Sequence, residues 1–143
     1  MKNLPINKRL RTLSLFTGAG GLDIGFHKAG FDIKQCVEID KRFCETLKYN
    51  KKYFSNFKII NEDINKLDFT KISKGYNFII GGPPCQSFSA SGFRRGLQDP
   101  RGLLFRQFVN ILKHTEAKVF LFENVRGLLY SNGGKAIKEI TNE

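Results

Sequence analysis

The sequence has no tryptophan, one methionine, two histidines and three cysteines in 143 residues. Cys36, Cys44 and Cys85 are odd in number, form no C-x-x-C pair and have no histidine cluster beside them. This argues against a disulfide framework or a metal site and fits a reducing compartment. Long apolar runs are also missing, because charge interrupts each within a few residues, so none matches a bilayer span and no membrane association is expected. The basic start, residues 1–9, is not followed by the apolar stretch of a secretory signal, which leaves the cytoplasm as the expected location. Neither a repeat nor a low-complexity tract is present. Acidic residues are scarce: 13 Asp and Glu face 24 Lys and Arg, a formal net charge of +11. Such an excess either serves solubility or favours a polyanion, since cationic side chains release counterions as they approach phosphates.

What is present is an alternation of short apolar segments with amphipathic ones. Residues 10–16 read as a strand ending at a glycine-rich turn, after which Leu22, Phe26 and Ala29 recur at helical spacing up to Gly30. Residues 33–38 form a second apolar segment ending in Glu38, and Asp40 can cap a helix marked by Phe43 and Leu47. Residues 56–60 and 76–80 are the next strands, and 85–100 a polar loop. Leu104, Phe108, Ile111 and Leu112 restore helical spacing before a last strand over 119–122. The pattern predicts an α/β fold, a three-layer sandwich on a mostly parallel sheet of five strands. Ligands of such sheets sit beyond the strands' carboxyl ends, where the segments around Gly18, Glu38, Cys85 and Glu123 all fall.

The turn Phe16-Thr17-Gly18-Ala19-Gly20-Gly21 joins a strand to a helix, and glycine there permits close ligand approach. Glu38 can accept hydrogen bonds from ribose hydroxyls. Asp23 stands where a dinucleotide fingerprint has its third glycine, and a carboxylate at a helix start repels pyrophosphate but accommodates an ammonium. A phosphate-free nucleoside cofactor such as S-adenosylmethionine fits better than NAD. Asp63 is either an adenine contact or a local cap. Cys85 follows Gly81-Gly82-Pro83-Pro84 outside any apolar run, as a nucleophile does, whereas Cys36 and Cys44 lie in packing positions. His27 and His114 read as surface or satisfied, partly buried residues, so no Cys-His dyad forms. Glu123, at the end of a strand, is the acid that could protonate or hydrogen-bond a ring nitrogen if enclosure raised its pKa. A thiol, an acid and a nucleoside cofactor suit methylation at carbon 5 of a pyrimidine, because thiol addition at carbon 6 makes carbon 5 nucleophilic.

These stretches, together with Asp63-Ile64, Gln86-Ser87-Phe88-Ser89 and Asn124-Val125, resemble in order the amino-terminal catalytic region of the DNA cytosine-5 methyltransferases. The resemblance implies a Rossmann-like methyltransferase fold incomplete at its carboxyl end, with residues 1–143 forming the first part of the catalytic domain. It implies S-adenosylmethionine, converted to S-adenosylhomocysteine, bound by Phe16, Gly18, Ala19, Gly20, Gly21, Leu22, Glu38, Ile39, Asp63, Ile64 and Pro83. Cys85 and Glu123 become the catalytic pair. Pro84, Gln86, Ser87, Ser89, Asn124 and Arg101 become substrate or loop contacts, and Arg94 and Arg95 either phosphate contacts or solvated charges. The implied partners are duplex DNA with a flipped cytosine and a carboxyl-terminal fragment or subunit. That part would carry the target-recognition region and the later motifs, without which activity is not expected. A restriction-modification role follows from the resemblance, with transfer RNA methylation or non-catalytic nucleic-acid binding as the alternatives.

Overall fold

The computed structural model describes residues 10–53, 57–84 and 104–142. Along these the chain forms β1 (Arg11–Leu15), α1 (Gly21–Lys28), β2 (Asp32–Glu38), α2 (Lys41–Tyr49), β3 (Lys58–Asn61), β4 (Phe78–Gly81), α3 (Leu104–Thr115), β5 (Val119–Phe122) and α4 (Lys135–Asn142). Short 3-10 turns occupy Lys51–Tyr53, Phe69–Lys71, Arg126–Leu129 and Ser131–Gly134. The five strands make one parallel sheet in the order β3-β2-β1-β4-β5. Chain direction across the sheet reverses between β1 and β4, which opens a crevice at their carboxyl ends.

The predicted α/β sandwich is present, and the sequence shows why. β1 and β4 are buried on both faces because layers cover both, β4 with apolar residues throughout and β1 with Leu13 and Leu15 on one face and Thr12 and Ser14 on the other. One face carries Leu13, Leu15, Val37 and Ile79 beneath Phe108 and Ile111 of α3 and the connection through Ile64, Leu67, Ile72 and Tyr76. The other carries Ile33, Cys36, Phe78 and Ile80 beneath Leu22, Ile24, Phe26 and Leu47 of α1 and α2. Each fully buried aliphatic side chain contributes on the order of 1.5–3 kcal/mol.

Boundaries differ from expectation where local chemistry intervenes. β1 stops at Leu15 because Phe16 turns into the left-handed region at φ 55°. β4 begins at Phe78, since the Asn77 amide donates to the Arg11 carbonyl and its side chain accepts from the Arg11 amide at 3.2 Å. β3 runs over Lys58–Asn61, and Asn56 lies outside the described residues. Asp40 caps α2 as expected, accepting from the Arg42 amide at 2.8 Å. α4 lies in a segment that the periodicity left without structure.

Gln35 is not singled out in the sequence, and two other polar side chains, His114 and Asp23, depart from their reading. Gln35, in the middle of β2 and 1% exposed, accepts from the Tyr76 hydroxyl at 2.7 Å and donates to the Lys71 carbonyl at 2.8 Å. It thereby ties the 71–76 connection to the sheet. His114 stacks on Phe69 with centroids 5.5 Å apart, but its Nε2 is buried without a partner among the described residues. The ring is partly buried as expected, but at this nitrogen the expected satisfied histidine is corrected. Asp23 does not reach out to an ammonium, because it points into the core at 0% exposure.

Candidate active site

The crevice is built by three strand ends. At the end of β1, Phe16 leaves the strand in a strained left-handed conformation that costs on the order of 1–3 kcal/mol. Gly18 (φ 56°) and Gly20 (φ 87°) take the same region, which glycine adopts without that cost, and Gly20 becomes the N-cap of α1. At the end of β2, Glu38 is buried, and its two oxygens each take a backbone amide. Oε2 accepts from Gly18 N at 2.6 Å and Oε1 from Asp40 N at 2.8 Å. The carboxylate therefore clasps the glycine turn to the start of α2, and each oxygen keeps lone-pair capacity for a further donor. At the end of β3, Asn61 Nδ2 donates to the carbonyls of Glu38 and Ile39, both at 2.9 Å. This amide, not singled out in the sequence, sets the direction of the Glu38–Ile39 bend.

These ends enclose a cavity of about 290 Å³, near the lower limit for small-molecule sites. Phe16, Gly18, Glu38, Ile39, Asp63, Ile64 and Pro84 line it, as do Val37, Phe43, Glu62 and Leu104, which sequence reasoning did not assign. Its walls are mainly apolar, with Glu38 and the Glu62-Asp63 pair as acceptors. Glu62 is ion-paired to Lys71 at 2.6 Å. Asp63 Oδ1 accepts from the Asn65 amide at 2.9 Å and the Asn65 side chain at 3.2 Å, while Oδ2 has no hydrogen-bond partner among the described residues. The capping and contact readings of Asp63 are therefore compatible. Ala19, Gly20, Gly21, Leu22 and Pro83 do not line the cavity. Leu22 packs in the core under α1, and Pro83 is held from the β5 side.

That hold comes from the segment after β5. The Glu123 amide donates to the Gly81 carbonyl at 2.9 Å, and Asn124 Nδ2 donates to the Pro83 carbonyl at 3.0 Å, two residues before Cys85. The Glu123 side chain lies directly over Gly82: a Cβ at Gly82 would stand 2.6 Å from Glu123 Oε2. Glu123 is exposed among the described residues, so they do not supply the enclosure expected around it. Cys85, Gln86, Ser87, Ser89, Arg94, Arg95 and Arg101 lie outside the described residues. Cys36 and Cys44 are buried and free, and burial raises both thiols above their ordinary pKa, which keeps them inert. No cluster of potential metal ligands occurs among the described residues, and no described helix is long and apolar enough to cross a membrane.

The family model for C-5 cytosine-specific DNA methylase matches residues 10–143. Type II methyltransferase M.FnuDI of Fusobacterium nucleatum is 46% identical over 134 residues, covering 94% of this chain and 38% of that protein. Type II methyltransferase M.AquIA of Picosynechococcus is 40% identical over 140 residues, covering 93% of this chain and 55% of that protein. The chain thus spans between about two-fifths and just over half of these relatives. Among solved structures, a DNA modification methyltransferase encoded within a prophage of E. coli superposes with a TM-score of 0.73 at 32% identity, over 93% of this chain and 37% of that one. The Dnmt2 methyltransferase of S. pombe gives 0.65 at 26% identity, over 94% of this chain and 42% of that one. By sequence and fold, the chain belongs to the C-5 cytosine-specific DNA methylase family.

Proposed function

We propose that the chain is the cofactor-binding and nucleophile-bearing part of an enzyme that methylates carbon 5 of cytosine in duplex DNA. Its expected setting is a cytoplasmic restriction-modification system. The observation that carries the reading is convergence: the Glu38 cavity and the Gly82–Glu123–Asn124 cluster meet at one crevice, with Cys85 next in sequence after Pro84. The residues fit an S-adenosyl nucleoside. Glu38 is held by two amides with acceptor capacity to spare, the Ile39 side chain is exposed at the rim, and Asp63 keeps one oxygen without a partner among the described residues. When bound, S-adenosylmethionine supplies an electrophilic methyl group.

The chain's residues do the rest. Cys85, as thiolate, adds to carbon 6 of the cytosine while Glu123 hydrogen-bonds or protonates N3, which drives electron density to carbon 5. After methylation, loss of the carbon 5 proton expels the thiolate and restores the ring. Asn124, through Pro83, holds the backbone that leads to Cys85. The base must leave the duplex stack to reach this crevice, at a cost of a few kcal/mol that phosphate contacts offset. Ser87, Ser89 and Arg101 are proposed for those contacts or for anchoring the loop, and Gln86 for a substrate contact. Since the relatives are longer, downstream polypeptide is proposed to supply target recognition and the remaining base contacts.

The test is transfer of a labelled methyl group by the chain together with its downstream polypeptide, offered duplex DNA and transfer RNA in parallel. Label on cytosine carbon 5 of DNA is expected, with a covalent adduct on DNA containing 5-fluorocytosine. Label on transfer RNA alone would replace the substrate assignment. Cofactor binding without transfer to either would favour a non-catalytic role.

A further inference from the structure

α2 carries its core contacts on Cys44 and Leu47, which are 2% and 0% exposed. Phe43, beside them, is 41% exposed, yet it lines the cavity with Phe16, Ile39, Asp63 and Ile64. An aromatic ring left half in water beside an apolar cavity, on a helix whose core side is already filled, is a wall waiting for a ligand.

Its position is fixed relative to Glu38. The Asp40 amide donates to Glu38 Oε1 at 2.8 Å, and Asp40 Oδ1 accepts from the Arg42 amide at 2.8 Å. The Cys44 amide donates to the Asp40 carbonyl at 3.1 Å, and Cys44 Sγ lies 3.6 Å from the Glu38 carbonyl. The first turn of α2 is thus bonded at both ends to the residue proposed to hold the ribose. Asn61 fixes the intervening Glu38–Ile39 bend from the β3 side. A ring on such a turn needs no ordering when the ligand arrives, so burying it yields most of its apolar gain as affinity.

We propose that Phe43 is a cofactor-binding residue whose ring forms the outer wall of the nucleoside cavity. The inference rests on the cofactor reading above and adds to it a contact and a place, the nucleoside end. Covering the exposed part of one phenyl ring corresponds to about 10-fold in affinity.

The test is calorimetric binding of S-adenosylhomocysteine and of 5′-deoxy-5′-methylthioadenosine, which lacks the amino-acid end, to the 143-residue chain. Phe43→Ala is expected to weaken both about 10-fold. Tyr49→Ala, on the same helix at a position 87% exposed and off the cavity, should leave both unchanged. Because the chain has no tryptophan, Phe43→Trp gives it a single indole, whose emission should change on saturation with either ligand even if Phe43→Ala folds poorly. Wild-type affinity in Phe43→Ala, with Glu38→Gln weakened, would overturn the role of Phe43 and leave the cofactor reading intact. A loss confined to S-adenosylhomocysteine would overturn its placement at the nucleoside. Failure of the wild type to bind either ligand, both alone and together with its downstream polypeptide, would remove the cofactor reading and this inference with it.

Discussion

Gly82→Ala is expected to lower the rate of methyl transfer about 100-fold while leaving folding and cofactor affinity nearly unchanged. The added Cβ would stand 2.6 Å from Glu123 Oε2, roughly an ångström inside ordinary contact distance. What must move is the free end of a flexible side chain, so the fold is disturbed by no more than about 1 kcal/mol. Catalysis is less tolerant, because an ångström of misplacement in a group that acts on the reacting base costs on the order of 100-fold. Gly81→Ala tests the opposite case. Its Cβ would meet the Leu15 carbonyl at 2.6 Å and the Phe108 ring at 3.1 Å, backbone and core that cannot swing aside, so this change should act on stability. Single-turnover methyl transfer, thermal melting and cofactor titration separate the two, with Cys85→Ser, expected to abolish both transfer and 5-fluorocytosine trapping, as the floor. A Gly82→Ala enzyme with the wild-type rate would show that Glu123 does not act from over Gly82.

The contrast between these neighbouring glycines also shows which features were legible in the sequence. Local chemistry was readable: the strand-to-helix glycine turn, the Asp40 cap and the strand-end placement of Glu38 each depend on residues a few positions apart. Contacts across the fold were not. Nothing near Gly82 announces Glu123, 41 residues on, and nothing near Gln35 announces Tyr76 or Lys71. Helical spacing put Phe43 with Leu47 in one stripe, which is correct for direction but not for surroundings. α2 starts beyond the end of β2, so its first turn overlooks the cavity and only its later residues meet the sheet. Asp23 misled for a related reason. An acid in the first turn of a helix ordinarily faces solvent near the positive end of the helix dipole, but α1 lies with that side against β1.

Asp23→Asn is accordingly expected to remove a pH-dependent loss of stability of about 3 kcal/mol. Asp23 is fully buried, and neither carboxylate oxygen has a hydrogen-bond partner among the described residues. Burial pushes its pKa from the ordinary value of 3.8 up to about 6, while the nearby Ser14 hydroxyl and the helix amide, which favour the anion, offset only part of this. Below about pH 4 the carboxyl is protonated in both folded and unfolded chains, and its burial carries no ionisation penalty. Between about pH 4 and 6 the unfolded chain releases the proton and the folded chain keeps it, so stability falls as pH rises. Above about pH 6 both states are ionised and the penalty is constant. Asparagine has the same shape and does not titrate, so its advantage over aspartate should grow by about 2.5 kcal/mol from pH 4 to pH 8, since at pH 4 the unfolded carboxyl is already partly ionised. The amide's own unmet hydrogen bonds, worth about 1–3 kcal/mol, shift both ends equally and leave that difference intact. Asp40, whose pKa the Arg42 guanidinium and amide lower to about 2, changes stability in the opposite sense, but it is common to both proteins and cancels. Denaturant titrations of the two chains at pH 4 and pH 8 measure the difference directly. Parallel profiles would mean that Asp23 ionises in the folded state as freely as in water, which its enclosure beneath α1 does not allow.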